Sequence, residues 1–198
     1  MLRIVLGSTL TAAQTADPGL QRLITQGRGS LAVLLGDGAC RYRLLGKDLH
    51  WDRVLIAFDG ERALGFASFR YARRGPFALN WPPFRREFGV LGGSWRFAGF
   101  CLSEWREWHY PFLLYGLRVV KAARNHGVGS ALVQACCAEA LKHGVGAIDL
   151  EVPLGNTRAQ QLYRKHGFVP RRRRWLAPLL GMRRALGSGT RPSQSATP

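Results

Sequence analysis

The chain has 198 residues, 46% of them hydrophobic, and carries 29 Lys and Arg against 12 Asp and Glu for a formal net charge of +17. This suits one globular domain with a core, and no apolar run approaches the length of a membrane span. The four cysteines, Cys40, Cys101, Cys136 and Cys137, form no C-x-x-C, so neither a zinc site nor a disulfide framework is indicated and no metal is expected.

Reduced thiols point to a cytoplasmic protein. The N-terminal stretch from Met1 to Pro18 imitates a signal peptide, but Gly7, Ser8, Thr9 and Thr11 break its apolar centre, and it is discounted. Charge is uneven: Glu151 is the last acidic residue, and ten basic groups follow it, Arg171 to Arg174 among them. An anionic partner (a phosphorylated cofactor, nucleic acid or an acidic membrane surface) and plain solubility account for this equally well.

In chain order, Leu2 to Leu6 reads as a short strand and about Thr11 to Gln26 as a helix despite Pro18. A Gly-rich connection leads to two apolar runs flanking Asp59-Gly60, a hairpin signal. The segment 72–110 is rich in Trp, Phe, Gly and Pro, and within it Ala98, Cys101, Leu102, Trp105 and Trp108 recur at helical spacing. Such spacing reads as extra core; the alternative is a lid or wall for an acceptor with an aromatic part, formed by Trp81, Trp95, Trp105, Trp108, Phe97 and Phe100. The run from Pro111 to Val120 predicts a strand buried on both faces. Val128, Leu132, Cys136 and Ala140 fall every four residues, predicting a helix to about His143. Ala147 to Val152 is a further strand, and Asn156 to Phe168 a helix ended by Gly167. One more strand fits between Phe168 and Leu180, with no convincing partner after it. The tail, 187–198, predicts disorder. Strand, helix, strand, helix, strand implies an α/β sheet with at least one parallel pair.

The stretch from Arg124 to Gly129 lies where a buried strand ends and a helix begins. Orphan backbone N–H groups and the positive end of the helix dipole make an anion site there. Gly127 and Gly129 let the backbone approach phosphate oxygens, and Arg124 adds a charge-assisted contact. A dinucleotide fingerprint would need glycine at Leu132, and a P-loop would need Gly-Lys-Ser/Thr. A plain glycine-capped turn remains the bland reading.

These residues resemble the acetyl-CoA motif of the GCN5-related N-acetyltransferase (GNAT) superfamily: Arg or Gln, two residues, Gly, one residue, then Gly or Ala. Arg124, Gly127 and Gly129 match it in full. Asn156, Ala159, Tyr163 and Gly167-Phe168 resemble the second signature of that family. The resemblance covers Phe112 to Trp175 strongly and Val54 to Arg70 weakly, and Lys121 stands where the family usually has proline. It implies a mixed, largely antiparallel twisted α/β sheet with a parallel central strand pair, flanked by helices, in a single domain over 1–186 with the 72–110 segment inserted before the central strand. It further implies acetyl-CoA held by Val119, Arg124, Asn125, His126, Gly127, Val128, Gly129, Ser130 and Asn156, and transfer of the acetyl group to a primary amine.

Deprotonating a lysine of pKa about 10.4 near pH 7.4 costs roughly 4 kcal/mol, and an α-amine under about 1 kcal/mol, so the need for a base depends on the acceptor. The resemblance makes Tyr163 the acid that protonates the leaving thiolate, against a tyrosine packed at a helix–sheet junction. Glu151 alternates away from Ile148, Leu150 and Val152 on its strand, and is the candidate base, against a solvated glutamate. Glu104 and His109 are weaker candidates. The helical count places Asn156 and Tyr163 on one face about 10 Å apart along the axis, with Asn156 toward the pantetheine amides. Val119 N–H is the candidate polariser of the acetyl carbonyl.

The basic end, Arg171 to Leu186, departs from the family pattern. It reads as an irregular last strand, a strand exchanged in a homodimer, or a basic segment facing an acidic partner. Two other functions stay open at this level: a CoA-binding module without catalysis, and a polyanion-binding protein.

Overall fold

The computed structural model describes residues 1–26, 32–171 and 178–187. Its elements run β1 (Leu2–Leu6), α1 (Ala12–Ala16), α2 (Pro18–Thr25), α3 (Ala32–Leu35), α4 (Gly38–Leu45), β2 (Val54–Asp59), β3 (Arg62–Tyr71), α5 (Trp81–Arg106), β4 (Phe112–Val119), α6 (Val128–Lys142), β5 (Ala147–Pro153), α7 (Thr157–Lys165), β6 (Val169–Pro170) and β7 (Leu179–Ala185). The strands form one sheet in the order β1-β2-β3-β4-β5-β7-β6. Its central pair, β4 and β5, is parallel and its other pairs are antiparallel.

Alternating residues send the two faces of this sheet into two cores. On one face Leu55, Ala57, Phe69, Leu114, Ile148, Leu150 and Val152 pack against α6 and α7. On the other, Val54, Ile56, Phe66, Leu113 and Tyr115 pack against residues of α2, α4 and α5. The central strand is therefore buried on both sides over Phe112–Tyr115.

Four local expectations need correction. Pro18 does not sit inside one helix. It opens α2 at its first turn, where its missing N–H costs nothing, and Asp17 caps that helix through bonds from Gly19 and Leu20 N–H. The Gly-rich connection contains α3 and α4, the latter capped by Asp37. The basic end does supply a last strand: β7 inserts between β5 and β6, burying Met182.

The fourth correction is the orientation of α5. The helix carries two apolar stripes on opposite faces, and the fold buries Gly93, Phe100 and Glu104 and half-buries Phe97 while leaving the stripe through Ala98, Leu102 and Trp105 outside. Close approach decides the choice. A Cβ on Gly99 would lie 2.8 Å from the Leu34 side chain of α3, so the glycine lets α5 approach its neighbour closely at this point. Phe84 and Phe100 are buried and Trp81 and Phe97 pack beside them, whereas Trp95, Trp105 and Trp108 remain exposed. The expected disordered tail and Arg172 to Trp175 lie outside the described residues, apart from Gly187.

Candidate functional site

The site begins with a defect in strand pairing. Along β3, Ser68 pairs with Gly116 and Phe69 with Leu114, so Tyr115 is an extra residue in β4, a β-bulge. Parallel pairing with β5 covers only Leu113 and Leu114 and stops at this bulge. Beyond it, β4 continues along β3 alone to Val119, and the side facing β5 is open.

The opening is a cleft of about 610 Å³, lined by the end of β4, the loop that follows, the first turn of α6 and one face of α7. Val119, Arg124, Asn125, Gly127, Gly129, Ser130 and Asn156 all line it. His126 is exposed on the same loop, and the Val128 side chain is buried in the core, so only its backbone faces outward.

Gly127 is the N-cap of α6 with φ +78°, and no side chain caps this helix. Its first-turn amides therefore keep their donors for something else. Asn125 also lies in the left-handed region, φ +69°, a conformation costing on the order of 1 kcal/mol for a residue with a Cβ. Its side-chain oxygen accepts a 2.6 Å bond from Arg158. Arg124 Nε lies 3.4 Å from the Val119 carbonyl, against the end of β4. A Cβ on Gly129 would stand 3.3 Å from Leu162 and 3.8 Å from Val119, in the floor between helix and strand.

Arg118, Arg124, Arg158 and Lys165 bring positive charge to this cleft, and no acidic side chain is among its described lining residues. Partial desolvation, with the nearby charges of Arg124 and Arg41, holds the Arg118 guanidinium below its ordinary pKa. The electrostatics of the cleft call for an anion. Arg158 and Lys165 counted in the sequence only as basic groups after Glu151, and Leu162 carried no site signal, although their spacing on α7 marks one helical face.

Asn156 and Tyr163 do not share a face as the count along a helix suggests. Asn156 is the N-cap of α7, with non-helical φ and ψ, and its Oδ1 accepts the Ala159 N–H at 3.1 Å. The two turns of helix therefore start one residue later. Tyr163 turns inward to the core, its ring 5.7 Å from that of Phe168. Burial, and then the neighbouring Cys136 thiol, raise its pKa above the ordinary phenol value.

Glu151 lies on the α5 side of the sheet, opposite Ile148, Leu150 and Val152, and is not a solvated side chain. Its Oε2 accepts a 2.6 Å bond from Arg106 at the end of α5, and its Oε1 a 3.1 Å bond from the Tyr110 hydroxyl. Burial and then the Glu151 charge raise the Tyr110 pKa, which keeps that hydroxyl a donor. Neither partner is near Glu151 in the sequence. Glu104 is buried and bound by Arg70 and Tyr115, a structural position, and His109 is exposed. In the basic end, Arg171 and Arg183 face Asp149 at 3.0 and 4.0 Å. Among the described residues no group of three or more His, Cys, Asp or Glu could hold a metal, and no helix is long and apolar enough to cross a membrane.

A family model described as "Acetyltransferase (GNAT) family" matches residues 36–168. The chain is 38% identical over 80 residues to a mycothiol acetyltransferase of Jonesia denitrificans, covering 40% of this chain and 26% of that protein, so the match spans about a quarter of the relative's length. The fold matches that of SsHAT with a TM-score of 0.62 at 14% identity, over 93% of this chain and 98% of that one. It also matches a PaiA N-acetyltransferase of Thermoplasma acidophilum solved with coenzyme A, with a TM-score of 0.56 at 12% identity, over 94% and 99% of the two chains.

Proposed function

Because the chain belongs to the acetyltransferase (GNAT) family, we propose that its cleft binds acetyl-CoA and that the acetyl group passes to a primary amine. The carrying observation is the cleft itself: an uncapped helix N-terminus at Gly127, four basic side chains and no acidic one among the described lining residues. The first-turn amides of α6 and Arg124 suit the pyrophosphate, with Asn125, His126 and Ser130 on the same loop. The open edge of β4 near Val119 suits the amides of the pantetheine arm, which lies extended between β4 and α7. The coenzyme A complex of the structural relative supports the same ligand.

The acceptor approaches from the α5 side of the parallel pair. Its nitrogen attacks the thioester carbonyl, the C–N bond forms, and the C–S bond breaks as the tetrahedral adduct collapses. The Val119 N–H polarises the carbonyl. Glu151 takes the amine proton through water, using lone pairs that Arg106 and Tyr110 leave open. Tyr163, kept protonated by burial, is our candidate for the acid that protonates the leaving thiolate, although its ring packs in the core and it is not among the described residues lining the cleft.

Calorimetric titration of acetyl-CoA into the protein, with Arg124→Ala beside it, tests the binding half of this reading. Saturable binding, weakened about tenfold by losing one charge-assisted contact, is the expected result. No binding at millimolar ligand would sink it. Thiol release from acetyl-CoA in the presence of a panel of primary amines tests the transfer half. CoA binding without turnover on any amine would leave a binding module.

A further inference from the structure

The outward stripe of α5 is an exposed apolar feature that the proposed reaction does not use. Leu91, Trp95, Ala98, Leu102 and Trp105 follow one another at intervals of four and three residues, which aligns them along one face of a helix. Leu91 is 87% exposed, Trp95 50%, and Leu102 and Trp105 each 61%; Val90 and Trp108 extend the patch at 60% and 40%. Together these side chains expose on the order of several hundred Å², at or above the largest patch a soluble monomer ordinarily shows.

The charges around this stripe have one sign. Each acidic side chain of α5 and of the residue that ends it is turned inward or paired: Glu87 with Arg43, Glu104 with Arg70, and Glu107 with Arg70 at 3.6 Å. The exposed charges are arginines. Arg85 and Arg86 are exposed on the segment that precedes the break at Gly89, ahead of the stripe. Arg96 is half-buried, lies over the rings of Trp95 and Phe88 at 4.7 and 4.3 Å and donates to the Val33 and Leu34 carbonyls, and Arg73 lies over Trp108 at 5.9 Å. The last of these brings a loop arginine to the end of the stripe.

We propose that this face of α5 docks on an anionic lipid bilayer, lying in the headgroup region with the tryptophans and leucines inserted and the arginines on lipid phosphates. A helix in the plane of the interface has this composition: an apolar face with Trp and Leu, flanked by cationic side chains. Charge decides against a second copy as the occupant. Two molecules of net charge +17 brought together through arginine-flanked faces repel each other, whereas the same charge attracts the protein to an acidic surface. The proposal stands independently of acetyl transfer.

Cosedimentation with vesicles of phosphatidylcholine, with and without one quarter phosphatidylglycerol, tests it. The parent protein should pellet with the anionic vesicles and stay largely in solution with the neutral ones. Trp95→Glu/Leu102→Glu should weaken that binding at least tenfold while melting at the parent temperature and binding acetyl-CoA as before, since both side chains point to solvent. Arg85→Gln/Arg86→Gln should weaken it by about fivefold per arginine. Equal binding by the parent and the Trp95/Leu102 variant would overturn the proposal, because it would assign adsorption to charge elsewhere. So would failure of the parent to bind at millimolar lipid. A dimer in sedimentation velocity that this variant dissociates would also overturn it, assigning the face to contact between copies.

Discussion

Gly129 shows how much of the candidate site rests on a missing atom. Its φ lies outside the left-handed region, so backbone strain is not the issue; the space is. An added Cβ would meet Leu162 at 3.3 Å, and further atoms would extend into the cleft between α7 and Val119. Gly129→Val should therefore raise the Kd for acetyl-CoA by about two orders of magnitude, the loss of one to two strong polar contacts, while lowering thermal stability only by what it takes for Leu162 to give way. Titration calorimetry beside a melting curve separates the two. Unaltered affinity would mean that the ligand does not lie against this turn. Tyr163 makes a different demand. Because burial raises its pKa, it stays protonated through the neutral range and contributes no alkaline limb to the pH–rate profile below about pH 10. Tyr163→Phe should lower kcat on the order of 10²-fold with little change in acetyl-CoA affinity. A variant with full turnover would leave the ring as core packing against Phe168.

At the scale of elements, legibility followed the range of the interactions involved. The run β4, α6, β5, α7 could be read because each part carries local signals: an unbroken apolar strand, glycines at a helix start, alternation, a glycine at a helix end. The partners of Glu151 could not, since Arg106 lies 45 residues away and meets it only after α5 has packed on the sheet. The direction of α5 failed for a related reason. Two stripes of apolar residues two positions apart are about 200° apart on a helix, so periodicity identifies the helix and leaves its inward face open. Phe97 and Phe100 on one side and Trp95 and Trp105 on the other are equally hydrophobic. Contacts with Leu34 and Arg70 break the tie. Gly89 then joins two helical segments with φ +70° and ψ −177°, a backbone state other residues avoid, and a Cβ there would meet nothing within 4 Å. Gly89→Ala should thus cost about 1–2 kcal/mol through the backbone alone, measured by urea denaturation with an unchanged m-value. A neutral result would mean that the two segments straighten into one helix without loss.

For the whole molecule, the two cores meet the sheet on opposite faces, and the second is tied down by charge as well as by apolar contact. Arg70 of β3 is 2% exposed and bonds Glu104 of α5, which in turn accepts the hydroxyl of Tyr115 at the β4 bulge. A side chain on α5 is thereby linked to the strand residue at which β4 and β5 part. Glu104→Ala leaves the Arg70 guanidinium buried with its closest counter-charge removed, since Glu107 stands 3.6 Å away. Breaking a buried pair from one side costs roughly 3–5 kcal/mol, which in a chain of this size lowers Tm by about 10 °C. Tyr115→Phe removes one hydrogen bond and keeps the ion pair, and should cost only about 1–2 kcal/mol. If the network also sets the bulge, Glu104→Ala will weaken acetyl-CoA binding although Glu104 lies outside the cleft, and Tyr115→Phe will do so to a smaller degree. Scanning calorimetry and ligand titration on both variants distinguish the outcomes: loss of stability with unchanged affinity would confine the network to holding α5, whereas parallel losses would make the buried arginine part of what keeps the cleft open.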